Sequence, residues 1–326
     1  MAVAWGILST AAINRLVLDG ARKSDRVDVV AVASRDPTRA ESYAREHGID
    51  LAYGDYDALL GDPAVDAVYI SLPNSLHVDW SIRALEAGKH VLCEKPFARH
   101  AHDAERAFDA AERTGRLLAE AFMYRHHPQT KRLRRLVDEG AIGRLRSVRA
   151  IHSFDIAARS GGNDVRLSSD LDGGALMDVG CYCVNSTRLL AGEPDRVYGE
   201  QVLGATGVDM DFHGTMSFPD EVVGQFVASF GLPARQELEA LGTEGSMRLE
   251  APWRLDLGGA FTLRRGDEVT LVEVEEADSY QLELEDLSDS IEGEGEPLLG
   301  RDDAVGTARA IEALYRSAEQ RAPVVP

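Results

Sequence analysis

Three stretches of the chain carry side chains suited to moving protons or holding anions. Cys93-Glu94-Lys95-Pro96 sets a lysine directly after a buried apolar run, and the proline fixes the direction in which the chain leaves it. A lysine there is either a solvated loop residue or a working acid. Gly173-Gly174-Ala175-Leu176-Met177-Asp178-Val179-Gly180-Cys181-Tyr182 spaces a carboxylate and a phenol four residues apart. With a helix from Val179 to Leu190, both project from one face and Tyr182 stands near the helix N-terminus. The dipole there, with a nearby ammonium, lowers a phenol pKa from about 10. The plainer reading has Asp178 capping the helix and Tyr182 packing with its hydroxyl at the surface. Asn185 continues that face and either bonds a substrate or holds the helix in place.

The third stretch, Gly6 to Asn14, sits where a dinucleotide fingerprint asks for glycine at 9, 11 and 14. The chain has Ser9, Ala11 and Asn14 instead. Small residues at 9 and 11 still let backbone approach a pyrophosphate at a helix N-terminus, making Ser9, Thr10, Ala11 and Ile13 candidate contacts. Ala33-Ser34-Arg35-Asp36 ends the next strand, where NAD enzymes usually carry a carboxylate for the ribose. Ser34 and Arg35 suit a 2′-phosphate, while Asp36 comes late enough to cap the following helix, so NADP is favoured over NAD. Leu72, Pro73, Asn74, His77 and Glu94 are candidates for the nicotinamide side. A cationic nicotinamide disfavours a neighbouring ammonium, so the Lys95 pKa falls toward the range useful for proton exchange.

The elements that must position these groups follow a regular rhythm. Apolar runs at Val3 to Leu8, Val29 to Ala33, Asp66 to Ser71, His90 to Cys93 and Leu117 to Glu120 alternate with helical patterns, among them Pro37 to His47 and His102 to Arg113. Continuous rather than alternating strands linked by amphipathic helices specify a doubly wound parallel sheet of the Rossmann type over residues 1–121. Ligands in such sheets bind beyond the carboxyl ends of the strands, around Ser9, Ser34, Ser71 and Glu94. From residue 122 to 326 the pattern changes to that of an α+β domain with an open, mainly antiparallel sheet. There Thr215 to Phe218, Val222 to Val227 and Gln236 to Leu241 read as neighbouring strands, and a last helix spans about Asp303 to Gln320. Among loop residues, Arg125 reads as a structural or cofactor contact; Arg166 and Phe154 read as substrate contacts.

Glu94-Lys95-Pro96 and the segment from Gly173 to Tyr182 resemble the glucose-fructose oxidoreductase, inositol dehydrogenase and rhizopine-catabolism family, Gfo/Idh/MocA, over essentially the whole chain. The resemblance implies that Lys95 is the catalytic lysine and that Asp178 and Tyr182 are its partners. Most members carry histidine at the last position. Tyrosine there resembles the branch of glucose-fructose oxidoreductase, the dihydrodiol dehydrogenases and some xylose dehydrogenases, most of which bind NADP. Implied with it are a sugar-like alcohol or carbonyl substrate, hydride exchange with nicotinamide, and a homodimer or homotetramer. Whether Lys95 or Tyr182 is the immediate proton donor stays open, because a coupled pair shares its titration. Two other readings remain open: a non-catalytic, nucleotide-sensing regulator on the same fold, and an enzyme that keeps its NADP bound and shuttles hydride between two sugars.

Composition narrows the partners. The 55 acidic and 35 basic residues give a formal charge of −20, which opposes nucleic acid and anionic membranes. No stretch approaches the roughly 20 consecutive apolar residues of a membrane helix, and the N-terminus shows neither charged leader nor cleavage pattern. Cys93, Cys181 and Cys183 are too few for a disulfide framework, and further ligands beside Cys181 and Cys183 are not evident, so no metal is expected. A cytoplasmic setting follows.

Overall fold

A computed structural model describes residues 2–160, 164–254 and 259–326; Met1, from which the first domain is counted, lies outside them. In chain order the elements are β1 (Val3–Leu8), α1 (Asn14–Ala21), β2 (Val27–Ala33), α2 (Pro37–His47), β3 (Leu51–Tyr53), α3 (Tyr56–Leu60), β4 (Ala67–Ile70), α4 (His77–Glu86), β5 (His90–Glu94), α5 (Ala101–Thr114) and β6 (Leu118–Ala121). Then come α6 (Pro128–Asp138), β7 (Leu145–Ser153), α7 (Ile156–Ser160), a π-helical turn (Leu176–Gly180), α8 (Cys181–Ala191), β8 (Arg196–Leu203), β9 (Asp209–Ser217) and β10 (Val223–Ser229). β11 (Arg235–Gly242), β12 (Ser246–Leu249), β13 (Phe261–Arg265), β14 (Glu268–Val272), α9 (Ser279–Ile291) and α10 (Arg301–Gln320) complete the chain.

The described residues form two compact units. The first takes the chain up to Ala98, His102–Met123 and Asp278–Val305; the second takes Arg99–Ala101, Tyr124–Ala277 and Gly306–Pro326. The chain passes into the second unit after Met123 and returns to the first over Asp278–Val305, a stretch that lies within the second domain expected over residues 122–326. Its sequence position misleads because α9 buries Leu284 and Leu287 in the core built around Val3, Trp5, Val17, Leu18 and Tyr69. The Trp5 indole N–H donates to Ser288 Oγ at 3.2 Å. α9 lies so close on α1 that a Cβ added at Gly20 would stand 2.6 Å from the Gln281 amide nitrogen.

The first unit is a six-stranded parallel sheet in the order β3-β2-β1-β4-β5-β6. Its central strands are buried along their length except at Ala4, as continuous apolar runs require. α2 shows how local chemistry sets the boundaries: Pro37 occupies its first turn, Asp36 Oδ1 accepts from the Thr38 and Arg39 amides at 3.0 and 3.3 Å, and Gly48 ends it at φ 71°.

The second unit holds an eight-stranded mixed sheet, β14-β13-β12-β11-β7-β10-β9-β8. It is mainly antiparallel, but β7 and β10 run parallel. β9 and β10 pair as neighbours, whereas β11 pairs with β7, which separates it from β10. Alternation marks a strand without saying which strand lies beside it. One face is covered, with Val148, Ala150, Phe212, Met216, Phe226 and Ala228 buried.

Glu283, on α9, is 2% exposed, and its Oε2 has no hydrogen-bond partner among the described residues. Burial, with the Glu94 charge adding to it, holds this carboxyl well above 4.5. The proton-linked stability is therefore complete below about 4.5 and is lost as pH rises through the folded value. Glu283→Gln keeps the shape without the charge. Its melting temperature is expected to exceed that of the native protein at pH 8, by an amount equivalent to about 1–3 kcal/mol, with the two converging at pH 4. A lower melting temperature for the variant at pH 8 would show that a charged Glu283 is held by a compensating partner.

Candidate functional site

At the carboxyl edge of the first unit's sheet, the fingerprint turn is built without its glycines. Ser9 sits at φ 129°, a conformation that favours glycine and strains any other residue. A buried polar network holds it there. Ser9 Oγ lies 2.8 Å from Ser71 Oγ and accepts the Ala11 amide at 3.1 Å. The Asn14 amide nitrogen donates to Ser9 O at 3.0 Å, and Ser71 Oγ donates to Asn14 Oδ1 at 2.6 Å. Asn14, 0% exposed, thus replaces the third glycine as the residue that closes the turn. Ser9, Thr10, Ala11 and Ile13 lie half-buried around it, and the small side chains at 9 and 11 leave the backbone accessible to an anion.

Ser34, at the end of β2, is buried, and its Oγ accepts the Asp36 amide at 3.3 Å. Arg35 and Arg39 are exposed. Burial raises the Tyr56 pKa while both guanidiniums oppose that rise, so the two cations flank the same edge. Arg39 also donates to Thr10 O at 3.4 Å. Sequence reasoning missed Arg39; its signal was the position four residues after Arg35 on a helix capped by Asp36.

Leu72 and Pro73 lead into a short turn at Asn74–Leu76, and His77 opens α4. His77 is buried, with one ring nitrogen 2.8 Å from Leu72 O and the other 2.9 Å from Pro96 O. It ties the two loops together rather than facing outward. Burial pulls its pKa down to about 4 against the two carbonyls, and while the ring is neutral only one contact is a donated hydrogen bond. Lys95 stands half-buried at the exit of β5, and the Lys95-Pro96 peptide is cis. Glu94 accepts the Tyr69 hydroxyl at 2.5 Å through Oε1 and the Lys95 amide at 3.2 Å through Oε2. The Phe97 amide donates to Glu120 Oε1 at 2.8 Å. A half-buried carboxylate and a buried one therefore fix the loop on both sides of Lys95.

In the second unit, the expected helix starts earlier than Val179. The π turn Leu176–Gly180 runs straight into α8, and π turns of this kind recur at functional sites. Tyr182 is consequently more than a turn from the free amides, which corrects the expectation that the helix dipole lowers its pKa. One of those amides is engaged elsewhere: the Leu176 N–H donates to Asp209 Oδ2 at 2.6 Å. Asp178 does not cap the helix; its Oδ2 pairs with Arg166 Nε at 2.9 Å. Arg166, expected to contact substrate, is held by both Asp178 and Asp164.

Tyr182 is 8% exposed and sits in an aromatic cluster, with ring centroids 5.4 Å from His152, 5.8 Å from Trp253 and 5.9 Å from Tyr124. His152 stacks on Trp253 at 4.8 Å, and the Trp253 indole donates to Ser186 Oγ at 2.9 Å. His152 and Trp253 were not singled out from the sequence, because nothing in the spacing of residues 152 and 253 links them to residue 182. Asn185 is fully buried. Its Oδ1 accepts from Tyr124 Oη at 2.5 Å and Arg125 Nη1 at 3.1 Å, and its nitrogen donates to Thr307 at 3.2 Å. That occupancy makes it a support for Tyr124 and Arg125, the second of its two expected roles. Phe154 is half-buried, packed 5.2 Å from Phe230 with the Arg159 guanidinium over its ring.

Comparison with known proteins agrees with this layout. The Gfo/Idh/MocA family model, an oxidoreductase family with an NAD-binding Rossmann fold, matches residues 5–122, and the C-terminal domain model of that family matches residues 130–248. D-xylose 1-dehydrogenase (NADP(+)) 2 of Haloferax volcanii is 38% identical over 323 residues, covering 98% of both chains. The crystal structure of an aldose-aldose oxidoreductase from Caulobacter crescentus complexed with glycerol superposes with a TM-score of 0.93 at 27% identity, covering 100% of both chains. A 3-ketoreductase from Actinomadura kijaniata in complex with NADP and TDP-benzene gives 0.91 at 27% identity, covering 97% of this chain and 98% of that one. Fold and matches together define an oxidoreductase built on an NAD-binding Rossmann unit. The chain belongs to the Gfo/Idh/MocA oxidoreductase family.

The turn around Ser9 supplies a test. Asn14→Ala leaves the Ser9 carbonyl and the Ser71 hydroxyl without their buried partner, so denaturant unfolding is expected to show a loss of about 1–3 kcal/mol. Dinucleotide affinity, followed by the fluorescence of NADPH, falls about tenfold with it. Unchanged affinity in a destabilised variant would separate the turn from cofactor binding.

Proposed function

We propose that the protein is an NADP-preferring dehydrogenase or reductase of a sugar or sugar-like alcohol, with Lys95 and Tyr182 handling the proton and Asp178 orienting the set. The observation that carries the reading is the retention of lysine, aspartate and tyrosine at residues 95, 178 and 182, each on an element able to hold it: the exit of β5, the π turn and the first turn of α8. The full-length likeness to a D-xylose 1-dehydrogenase supports the substrate class.

The fingerprint turn fits a dinucleotide: backbone at Ser9 is held open by its network, and Ala11 adds no bulk. Ser9, Thr10, Ala11 and Ile13 bind the pyrophosphate; Ser34 and Arg35, joined by Arg39, bind the 2′-phosphate; Leu72, Pro73, Asn74 and Glu94 line the nicotinamide side, with His77 fixing that loop and Arg125 supporting it. When bound, the nicotinamide supplies or takes the hydride. Lys95 and Tyr182 give a proton to the carbonyl oxygen in reduction and take it from the hydroxyl in oxidation. Arg166 holds Asp178, and Phe154 gives the substrate an apolar edge.

A panel of sugars and diols with NADP and NAD, followed by absorbance of the reduced nicotinamide, is expected to show turnover with NADP preferred. Lys95→Met keeps NADP binding but lowers kcat by about 10²–10⁴-fold; unchanged turnover overturns the assignment. Replacing Arg35 and Arg39 together by alanine should raise the KM for NADP while leaving that for NAD in place. Binding of NADP with no turnover of any sugar or diol favours a regulator, and NADP retained through gel filtration favours a transhydrogenase.

No described helix is long and apolar enough to cross a membrane. Cys93, Cys181 and Cys183 are free buried thiols, which supports a reducing, cytoplasmic setting, checked by cell fractionation. The sheet face bearing Arg149, Ile151, Tyr198, His213, Gln225 and Val227 forms a groove of about 420 Å³ and supports a homodimer or homotetramer. Sedimentation of a monomer at micromolar concentration would overturn that.

A further inference from the structure

The π turn that carries Asp178 begins at a helix end whose amides must be satisfied by something. Asp209, the first residue of β9, supplies that acceptor from 33 residues away in sequence. Its side chain is 2% exposed. Oδ2 accepts the Leu176 amide at 2.6 Å and Oδ1 accepts the Tyr315 hydroxyl at 2.8 Å. The Arg99 guanidinium lies 4.0 Å over the Tyr315 ring. The chain accommodates the carboxylate by leaving out a side chain: Gly174 has φ 121°, and a Cβ there would stand 2.0 Å from Asp209 Oδ1. Gly173 is equally confined, since its Cβ would meet Arg166 O at 2.3 Å. The paired glycines of the motif are thus the space in which Asp209 reaches the turn.

We infer that Asp209 is a positioning residue for the reaction: through the Leu176 amide it holds the π turn, and so Asp178 and Tyr182, in register with α8. The inference rests on the proposed roles of Asp178 and Tyr182. Helices without such an anchor fray at their first turn, and here the first turn carries Asp178, the proposed orienting residue. Tyr315 on α10 and Arg99 are the titratable and charged groups that face Asp209, with Asp172 acting on Tyr315.

Burial lifts the Asp209 pKa to about 6, against the pull of the Leu176 amide, Tyr315 and Arg99. Two opposite proton linkages follow. Global unfolding exposes the carboxyl and returns it to about 3.8, so the proton-linked stability is full below 3.8 and lost as pH rises through about 6. Release of the Leu176 amide alone leaves the carboxyl buried with one fewer hydrogen bond to its charged form, which raises its pKa further, so the same proton favours local release. Acid therefore steadies the fold while loosening the turn.

Hydrogen exchange of the peptide covering residues 174–186, corrected for intrinsic rates, reads the turn without any substrate. In the full-length protein, Asp209→Asn is expected to speed that exchange roughly 10- to 100-fold at pH 7.5, equivalent to one charge-assisted hydrogen bond, with peptides of the Rossmann sheet unchanged. Tyr315→Phe, which removes one of the two supports, gives a smaller increase. Native protein shows the increase between pH 7.5 and pH 5 while its melting temperature rises relative to Asp209→Asn. Exchange in Asp209→Asn equal to native at pH 7.5 overturns the inference, as does a native pH response in which turn and fold loosen together. With the sugar that turns over in the panel, kcat falls about tenfold or more while the KM for NADP holds. Tyr182→Phe separates the two claims: full turnover in that variant refutes the role of Tyr182, whereas loss there with normal kcat in Asp209→Asn refutes only the role of Asp209.

Discussion

The parallel register of the first unit is the constraint on which the cofactor edge depends. Leu8 pairs with Ala33 on one side and Ile70 on the other, and Ile70 pairs in turn with Cys93. Each of these strands then ends within a residue or two, so Ser9, Ser34, Ser71 and Glu94 leave the sheet along one edge. No local signal brings residues 9, 34, 71 and 94 together; the ladder does. A slip of one residue in any strand would turn its buried apolar set outward and move its edge residue to the wrong side. Burial of Ile7, Val32, Tyr69 and Leu92 on the covered faces therefore fixes the chemistry at the edge as firmly as it fixes the core.

Polar groups inside this frame act as fasteners. Asn14 and Ser71 hold a serine where the backbone favours glycine, and Glu94 and Glu120 hold the loop on either side of Lys95. His77 joins that loop to the one before α4. In the second unit Asn185 joins Tyr124, Arg125 and Thr307, and Arg188 reaches the same threonine at 2.6 Å. Buried networks of this kind have few alternative arrangements, since a half-satisfied one costs more than none. The edge is thereby rigid where a dinucleotide needs a shaped surface.

The alternation of apolar strands and helices, the boundaries of α2 and the place of Lys95 were legible in the sequence because each rests on local chemistry: strand burial, an aspartate cap before a proline, a strand end. Ser9 and Asn14 could be read as departures from a glycine pattern but not as each other's compensation, which needs the fold. α9 was legible in principle, since Asp278 caps a run with Tyr280, Leu284, Leu287 and Ile291 at helical spacing. Its membership in the first unit was not, because nothing local tells a helix which core it will complete. The strand order of the second sheet failed for the same reason: a half-buried strand shows its alternation and hides its neighbour. The π turn was beyond sequence reasoning, and the acceptor for its first amide lies on β9, 33 residues away.

Tyrosine at position 182 changes what its surroundings have to do. An imidazole gives up a proton near neutrality unaided, whereas a phenol with a reference pKa of about 10 needs its charged form stabilised by several kcal/mol. The helical run from Leu176 puts the free amides too far back to supply this, and Asp209 already accepts one of them, the Leu176 amide. The ring neighbours Tyr124 and Trp253 carry no charge, and His152 carries one only when protonated. Arg166 is held by Asp164 and Asp178, and Arg125 is turned to Asn185. On the proposed reading Lys95 serves the tyrosine, and a phenol depends on such a cation in a way a histidine would not. The same argument gives the aromatic cluster a purpose: low-polarity walls around the phenol keep water away and strengthen whatever single charge reaches it.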